Sequence, residues 1–214
     1  MHGRYPDFDV LDQADHWDDV TRKVVLARLD PPPLRFFDDT QAHTLAAFCD
    51  TVLAQDSEPR VPVLAFVDAK LHEGRLDGYR YADMPDDRET WRLVARGLDE
   101  AAREAGARSY GTASSEVRLE VCEAFAEARL AGGTWDLLPV THAFAVVMRA
   151  VLGAFYSHPW AWNKIGFGGP AYPRGYMRLA TGAKEAWESD DAFALDPVSD
   201  VRERGVDHPA HGGR

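Results

Sequence analysis

The chain has 214 residues, 45% of them apolar and 28% charged, which describes a folded globular protein long enough to bury a substantial core. Its 35 acids against 24 bases leave a formal net charge of −11. That balance argues against nucleic acid or an anionic membrane as the main partner, since both demand a basic face.

Residues 1–35 read as an arm. The opening Met-His-Gly-Arg-Tyr-Pro-Asp-Phe-Asp is acidic and carries neither a hydrophobic export segment nor paired arginines. The expectation is a cytoplasmic chain that leaves the cytoplasm only with a signal-bearing partner. Val24, Val25, Leu26 and Leu29 form a short apolar patch, followed by a stiff connector at Pro31-Pro32-Pro33. Such an arm either packs on its own domain or reaches onto a partner, and the sequence does not choose.

A helical body then begins at Asp38-Asp39-Thr40, residues that cap a helix and set negative charge at its positive end. Leu45, Phe48, Cys49, Val52 and Leu53 follow at helical spacing. Pro62 opens a second helix with Val63, Phe66, Val67 and Leu71 inward, and Gly74 ends it. Pro85-Asp86-Asp87 opens a third, which runs to Gly106 and buries Trp91, Val94, Leu98 and Ala102. Ser114-Ser115-Glu116 starts a fourth, with Val117, Val121, Ala124, Phe125 and Ala128 on one side and Gly132-Gly133 as its stop. The fifth opens at Pro139 and is apolar nearly all round, so it is expected to be the central element. Broken by His142 and Arg149, its apolar run is short of the roughly 20 residues of a membrane span. A sixth, short helix is expected over residues 176–187. No strand alternation or repeat occurs. The fold expected is all-α: a single helical domain of about six helices over residues 36–188, an N-terminal arm over 1–35 and a tail over 189–214.

Chemistry-bearing patterns are scarce. Gly166-Phe167-Gly168-Gly169-Pro170 lacks the strand-before, helix-after context of a dinucleotide fingerprint. No phosphate-binding loop, Glu-x-x-His pair, haem-attaching Cys-x-x-Cys-His or nucleophile elbow is present. Neither a catalytic nor a metal-ligating residue is therefore assigned, and no cofactor is expected in this chain. Cys49 and Cys122 fit small buried hydrophobes; whether they pair is open. His142 reads as a hydrogen-bonded core residue, while His72, four residues after Asp68, reads as half of an ordinary surface pair. The acidic doublets Asp18-Asp19, Asp38-Asp39, Asp86-Asp87 and Asp190-Asp191 look like caps and solvated loop charge.

The most informative stretch is residues 155–179. It is crowded with aromatics, prolines and glycines, and no acid occurs between Asp136 and Glu185, whereas Arg149, Lys164, Arg174, Arg178 and Lys184 do. The prolines exclude long regular helix, so the segment is expected to be a long shaped Trp/Gly/Pro-rich loop, and long ordered loops are commonly functional. Tyr, Trp and Arg are enriched at binding hot spots. The expected partner-binding residues are His158, Trp160, Trp162, Asn163, Lys164, Phe167, Tyr172, Arg174, Tyr176 and Arg178. Two other readings stand beside this one: a buried connector, and a lid that closes over a sugar stacked on Trp160 or Trp162.

The run Ser157-His158-Pro159, Trp162-Asn163-Lys164-Ile165-Gly166-Phe167, Gly169-Pro170 and Pro173-Arg174-Gly175-Tyr176 resembles the signature of the gluconate 2-dehydrogenase subunit 3 family. The helical layout of residues 36–131 is similar to that family as well. The resemblance implies a non-catalytic small subunit that helps a large flavoprotein of the glucose-methanol-choline type fold, stay soluble or be exported. FAD and the catalytic base would belong to that large subunit, which oxidises gluconate or other sugars and polyols. A cytochrome c subunit often takes the electrons. An acid-free, aromatic face suits docking on an acidic partner.

Overall fold

The computed structural model describes residues 5, 8–75, 78, 80–173 and 175. Among them every regular element is helical. Seven α-helices follow in order: α1 Asp19–Leu26, α2 Asp39–Val52, α3 Val63–His72, α4 Asp87–Glu104, α5 Ser115–Ala126, α6 Val140–Phe155 and α7 Pro159–Ile165. Short 3-10 turns cover Val10–His16, Ala27–Leu29, Tyr110–Thr112 and Gly133–Leu137. No single helix is long and apolar enough to cross a membrane, among the described residues. The described residues form two compact units: Ala27–His158, and the described residues up to Leu26 together with those from Pro159 to residue 175.

Local sequence sets the helix starts in the larger unit. Asp38 accepts from the Gln41 amide while the Gln41 side chain answers the Asp38 amide, a reciprocal box that satisfies two otherwise orphaned donors. Asp86 caps α4 through Glu89, and Ser114 caps α5 through Val117. The expected stop of α5 at Gly132-Gly133 lies too late. The helix closes at Ala126 because Ala128 turns left-handed (φ 54°) and lets the Arg129 amide reach back to the Ala124 carbonyl. Ala128 is accordingly exposed rather than inward.

α4, not α6, is the central helix. It packs on α2, α5, α6 and the 3-10 turns at 110–112 and 133–137, and buries Trp91, Val94, Leu98 and Ala102 together with Leu93, Ala95 and Ala101. α6 buries only the single row Ala143, Val147, Val151 and Phe155, one residue per turn. Its apolar composition is spread over more arc than its neighbours α3, α4 and α5 cover, so Leu152 and Tyr156 stay exposed. Composition alone overstated its burial. α4 also holds the connecting turns. Asp99 accepts from the Thr44 hydroxyl at 2.8 Å and the Tyr110 amide at 2.9 Å. Glu100 accepts from the Thr134 amide at 2.9 Å and its hydroxyl at 2.7 Å, bonds that hold its carboxyl below the usual pKa. Gly97 lets the Trp135 ring lie against α4: a Cβ there would meet that ring at 2.6 Å.

One buried carboxylate fixes the entry to this unit. Asp68 on α3 is fully buried and accepts from three consecutive backbone amides, Arg35 at 2.7 Å, Phe36 at 2.9 Å and Phe37 at 3.0 Å. The expected surface pair with His72 is thus corrected: Asp68 faces inward, and His72 is exposed. His142 is corrected too. It is hydrogen-bonded, but at the surface, stacked on Tyr81 at 4.0 Å with Nδ1 3.1 Å from Asp83 Oδ1. Cys49 and Cys122 are both free thiols.

Candidate functional site

The smaller unit is built around Trp162. Pro159 stands at the first position of α7, where its missing N–H costs nothing and its fixed φ suits the helix. The loop expected over residues 155–179 therefore contains a helix in its first half. Trp162, 6% exposed, packs in a cluster with Val10, Trp17 and Val25, with Phe8, Leu11 and Ala14 at its edge. The arm expected over residues 1–35 thus contributes core residues, brought into the cluster by the Val10–His16 turn and α1.

Asn163 locks this arrangement. Its Oδ1 accepts from the Val10 amide at 2.8 Å, and its Nδ2 donates to Asp9 Oδ1 at 3.0 Å. Asp9 itself caps the 3-10 turn through the Leu11 amide. A single side chain from α7 thereby fixes the start of an element 153 residues earlier in sequence. Gly169, at φ 77°, passes so close that a Cβ would meet Val10 Cγ2 at 2.8 Å and Trp17 Cζ2 at 2.9 Å. Only glycine fits both that conformation and that space. Phe167 sets its ring edge-on to Trp162, with centroids 5.6 Å apart.

Burial divides the sequence-predicted partner residues. Trp162, Asn163 and His158 are buried, so exposure expected of Trp162 in the isolated chain is not found. A sugar has no open indole face to stack on there. Trp160 and Lys164 are half-buried, whereas Phe167 is 41% and Tyr172 66% exposed. Ile165, which sequence reasoning passed over, is 50% exposed at the end of α7. Val20 and Val24, one turn apart on α1, are also open, at 70% and 51%. The signal that could have found them is the i, i+4 spacing of the two valines beside the inward Val25. Arg174, Tyr176 and Arg178, and the helix expected over residues 176–187, lie outside the described residues.

His158, the last residue of the larger unit, is 1% exposed, with Phe66 6.1 Å from its ring. Burial lowers its pKa from 6.5 to about 4; a hydrogen bond with the Arg28 backbone opposes the shift, and the Arg28 guanidinium adds to it. That guanidinium in turn donates to the Ser157 carbonyl. The imidazole is neutral in the fold. The unfolded chain takes up this proton near pH 6.5 and the folded chain only near pH 4. Stability from this group is therefore complete above pH 6.5 and is lost as pH falls toward 4. Allowing for solvent screening, the loss is about 1–3 kcal/mol. Urea unfolding at pH 7 and pH 4.5 should give a steeper acid loss for the wild type than for His158→Asn. An identical slope in both would refute it.

Among the described residues no group of three or more His, Cys, Asp or Glu is arranged to hold a metal ion. Both thiols are buried, and desolvation raises their pKa, that of Cys122 to about 11, which leaves them poor nucleophiles. Among its described residues the smaller unit presents Val20, Val24, Ile165, Phe167 and Tyr172 outward. A family model described as gluconate 2-dehydrogenase subunit 3 matches residues 39–169, α2 through the close approach at Gly169. No curated protein and no solved structure matches the chain.

Proposed function

The chain belongs to the gluconate 2-dehydrogenase subunit 3 family, and from that premise we propose that it is a non-catalytic accessory subunit. It binds and stabilises a large FAD-dependent dehydrogenase of the glucose-methanol-choline type that oxidises a sugar or polyol, with a cytochrome c subunit as a further member of the assembly. The flavin and the catalytic base reside in the large subunit.

The observation that carries this reading is the outer surface of the smaller unit. Ile165, Phe167 and Tyr172 are exposed within the segment between Asp136 and Glu185 that has no acid, in a chain of net charge −11. Exposed apolar side chains close together in sequence mark contact surfaces, and this segment itself brings no carboxylate to repel an acidic partner, although Asp15 and Asp19 of the same unit are exposed. Docking falls to Trp160, Lys164, Phe167 and Tyr172 together with Ile165. Trp162 and Asn163 hold that surface in shape from below.

The test is co-purification with the large flavoprotein subunit. Ile165→Ser with Tyr172→Ser removes outer apolar groups that do not support the Trp162 cluster. The isolated variant should melt close to the wild type, while its affinity for the large subunit drops at least about tenfold. Co-purification at wild-type yield would overturn the assignment of this surface.

A further inference from the structure

A cleft of about 230 Å³ opens within the larger unit between the first turn of α2 and the outer face of α4. Arg92, Arg96 and Arg103 line it, with Asp38, Asp99 and Thr40. Both carboxylates accept hydrogen bonds within the unit, Asp38 through one oxygen only. Asp38 caps α2 on the Gln41 amide. Asp99 accepts from Thr44 and Tyr110 and faces Arg103 at 3.6 Å. The cations are less satisfied. Arg92 lies over the Phe36 ring at 4.5 Å, with Glu89 no nearer than 4.0 Å. Arg96 is exposed and makes neither a hydrogen bond nor an ion pair among the described residues. Its charge reaches Glu100 only at longer range, and Glu100 is spent on Thr134.

Arg92 and Arg96, one helical turn apart, thus line a concave space in which three guanidiniums face two carboxylates. Thr40 adds a hydroxyl and a first-turn amide that has no partner inside its own helix. In a chain of net charge −11, such a spot is a local reversal of the surrounding field. We propose that this cleft binds a small oxyanion, a carboxylate or phosphate, clamped by Arg96 and Arg92 against the start of α2. Planar forked donors suit either anion, because each presents paired oxygens that one guanidinium can take up together. All the residues that line the cleft belong to the larger unit.

Citrate and inorganic phosphate serve as probes, titrated into the isotope-labelled full chain at constant ionic strength with chloride as the balance. Saturable shifts confined to the amides of Thr40, Gln41 and Arg96 are expected. Arg96→Gln should weaken apparent affinity about tenfold or more, and Arg96→Lys by less, since it keeps the charge and loses only the fork. Shifts that rise linearly without saturation, or scatter over the surface, would overturn the site. An unchanged affinity in Arg96→Gln would do the same. The wild-type titration stands independently of how either variant folds.

Discussion

Replacing Trp162 with alanine is expected to destabilise the smaller unit by about 3–5 kcal/mol, the usual result of emptying an aromatic position in a packed core. The local cost should be felt strongly because this core is small. Val10, Trp17 and Val25 are the other buried members of the cluster, and removing the indole takes away one of its two large rings. Asn163 anchors the Val10–His16 turn only while α7 holds its place, so packing and hydrogen bonding fail together. Hydrogen exchange reads this directly. Amide protection over residues 10–25 should collapse in Trp162→Ala, while protection in α2 and α4 persists. Retained protection at Val10 and Val25, with loss only of partner binding, would show instead that Trp162 acts as an interface anchor.

Asp68→Ala carries the second large effect. The substitution strands the amides of Arg35, Phe36 and Phe37 around a position that water does not reach. Hydrogen bonds to a charged acceptor are stronger than neutral ones, and orphaned buried donors add their own desolvation penalty. A loss of about 3–5 kcal/mol follows, or roughly 10 °C or more in Tm for a chain of this size. Asp68→Asn should fall in between, because one oxygen still accepts while the new NH2 group faces donors. Thermal melts of the three proteins give the ranking. A wild-type Tm for Asp68→Ala would mean that the segment before α2 finds other acceptors at no cost.

Both effects arise where burial overrode a reasonable expectation. In sequence, Asp68 reads as a surface acid because His72 follows at helical spacing, and nothing local reveals the three amides that arrive from more than 30 residues away. Trp162 reads as a hot-spot aromatic because it stands among glycines and prolines. Its partners Val10, Trp17 and Val25 lie at the other end of the sequence, in a stretch that carries a weak apolar pattern of its own.

What the sequence determined by itself is the helical class, the starts of α2 to α6 and the family. Those depend on local rules: Asp38, Asp86 and Ser114 cap their helices with their own side chains, and Pro62 and Pro139 stand just before α3 and α6. The inward face of α4 was legible for the same reason, since spacing at 3.6 residues per turn needs no partner to be recognised. Only the tertiary structure decided which helix is central, which aromatics of the Trp-rich segment face inward, and what the N-terminal arm packs against. Burial is a property of the neighbours that surround a residue, and an apolar helix such as α6 stays half-uncovered when its neighbours span only part of its circumference. The surface proposed for docking is what packing leaves over. Once Trp162, Asn163 and His158 were taken up by packing, Ile165, Phe167 and Tyr172 were left facing outward.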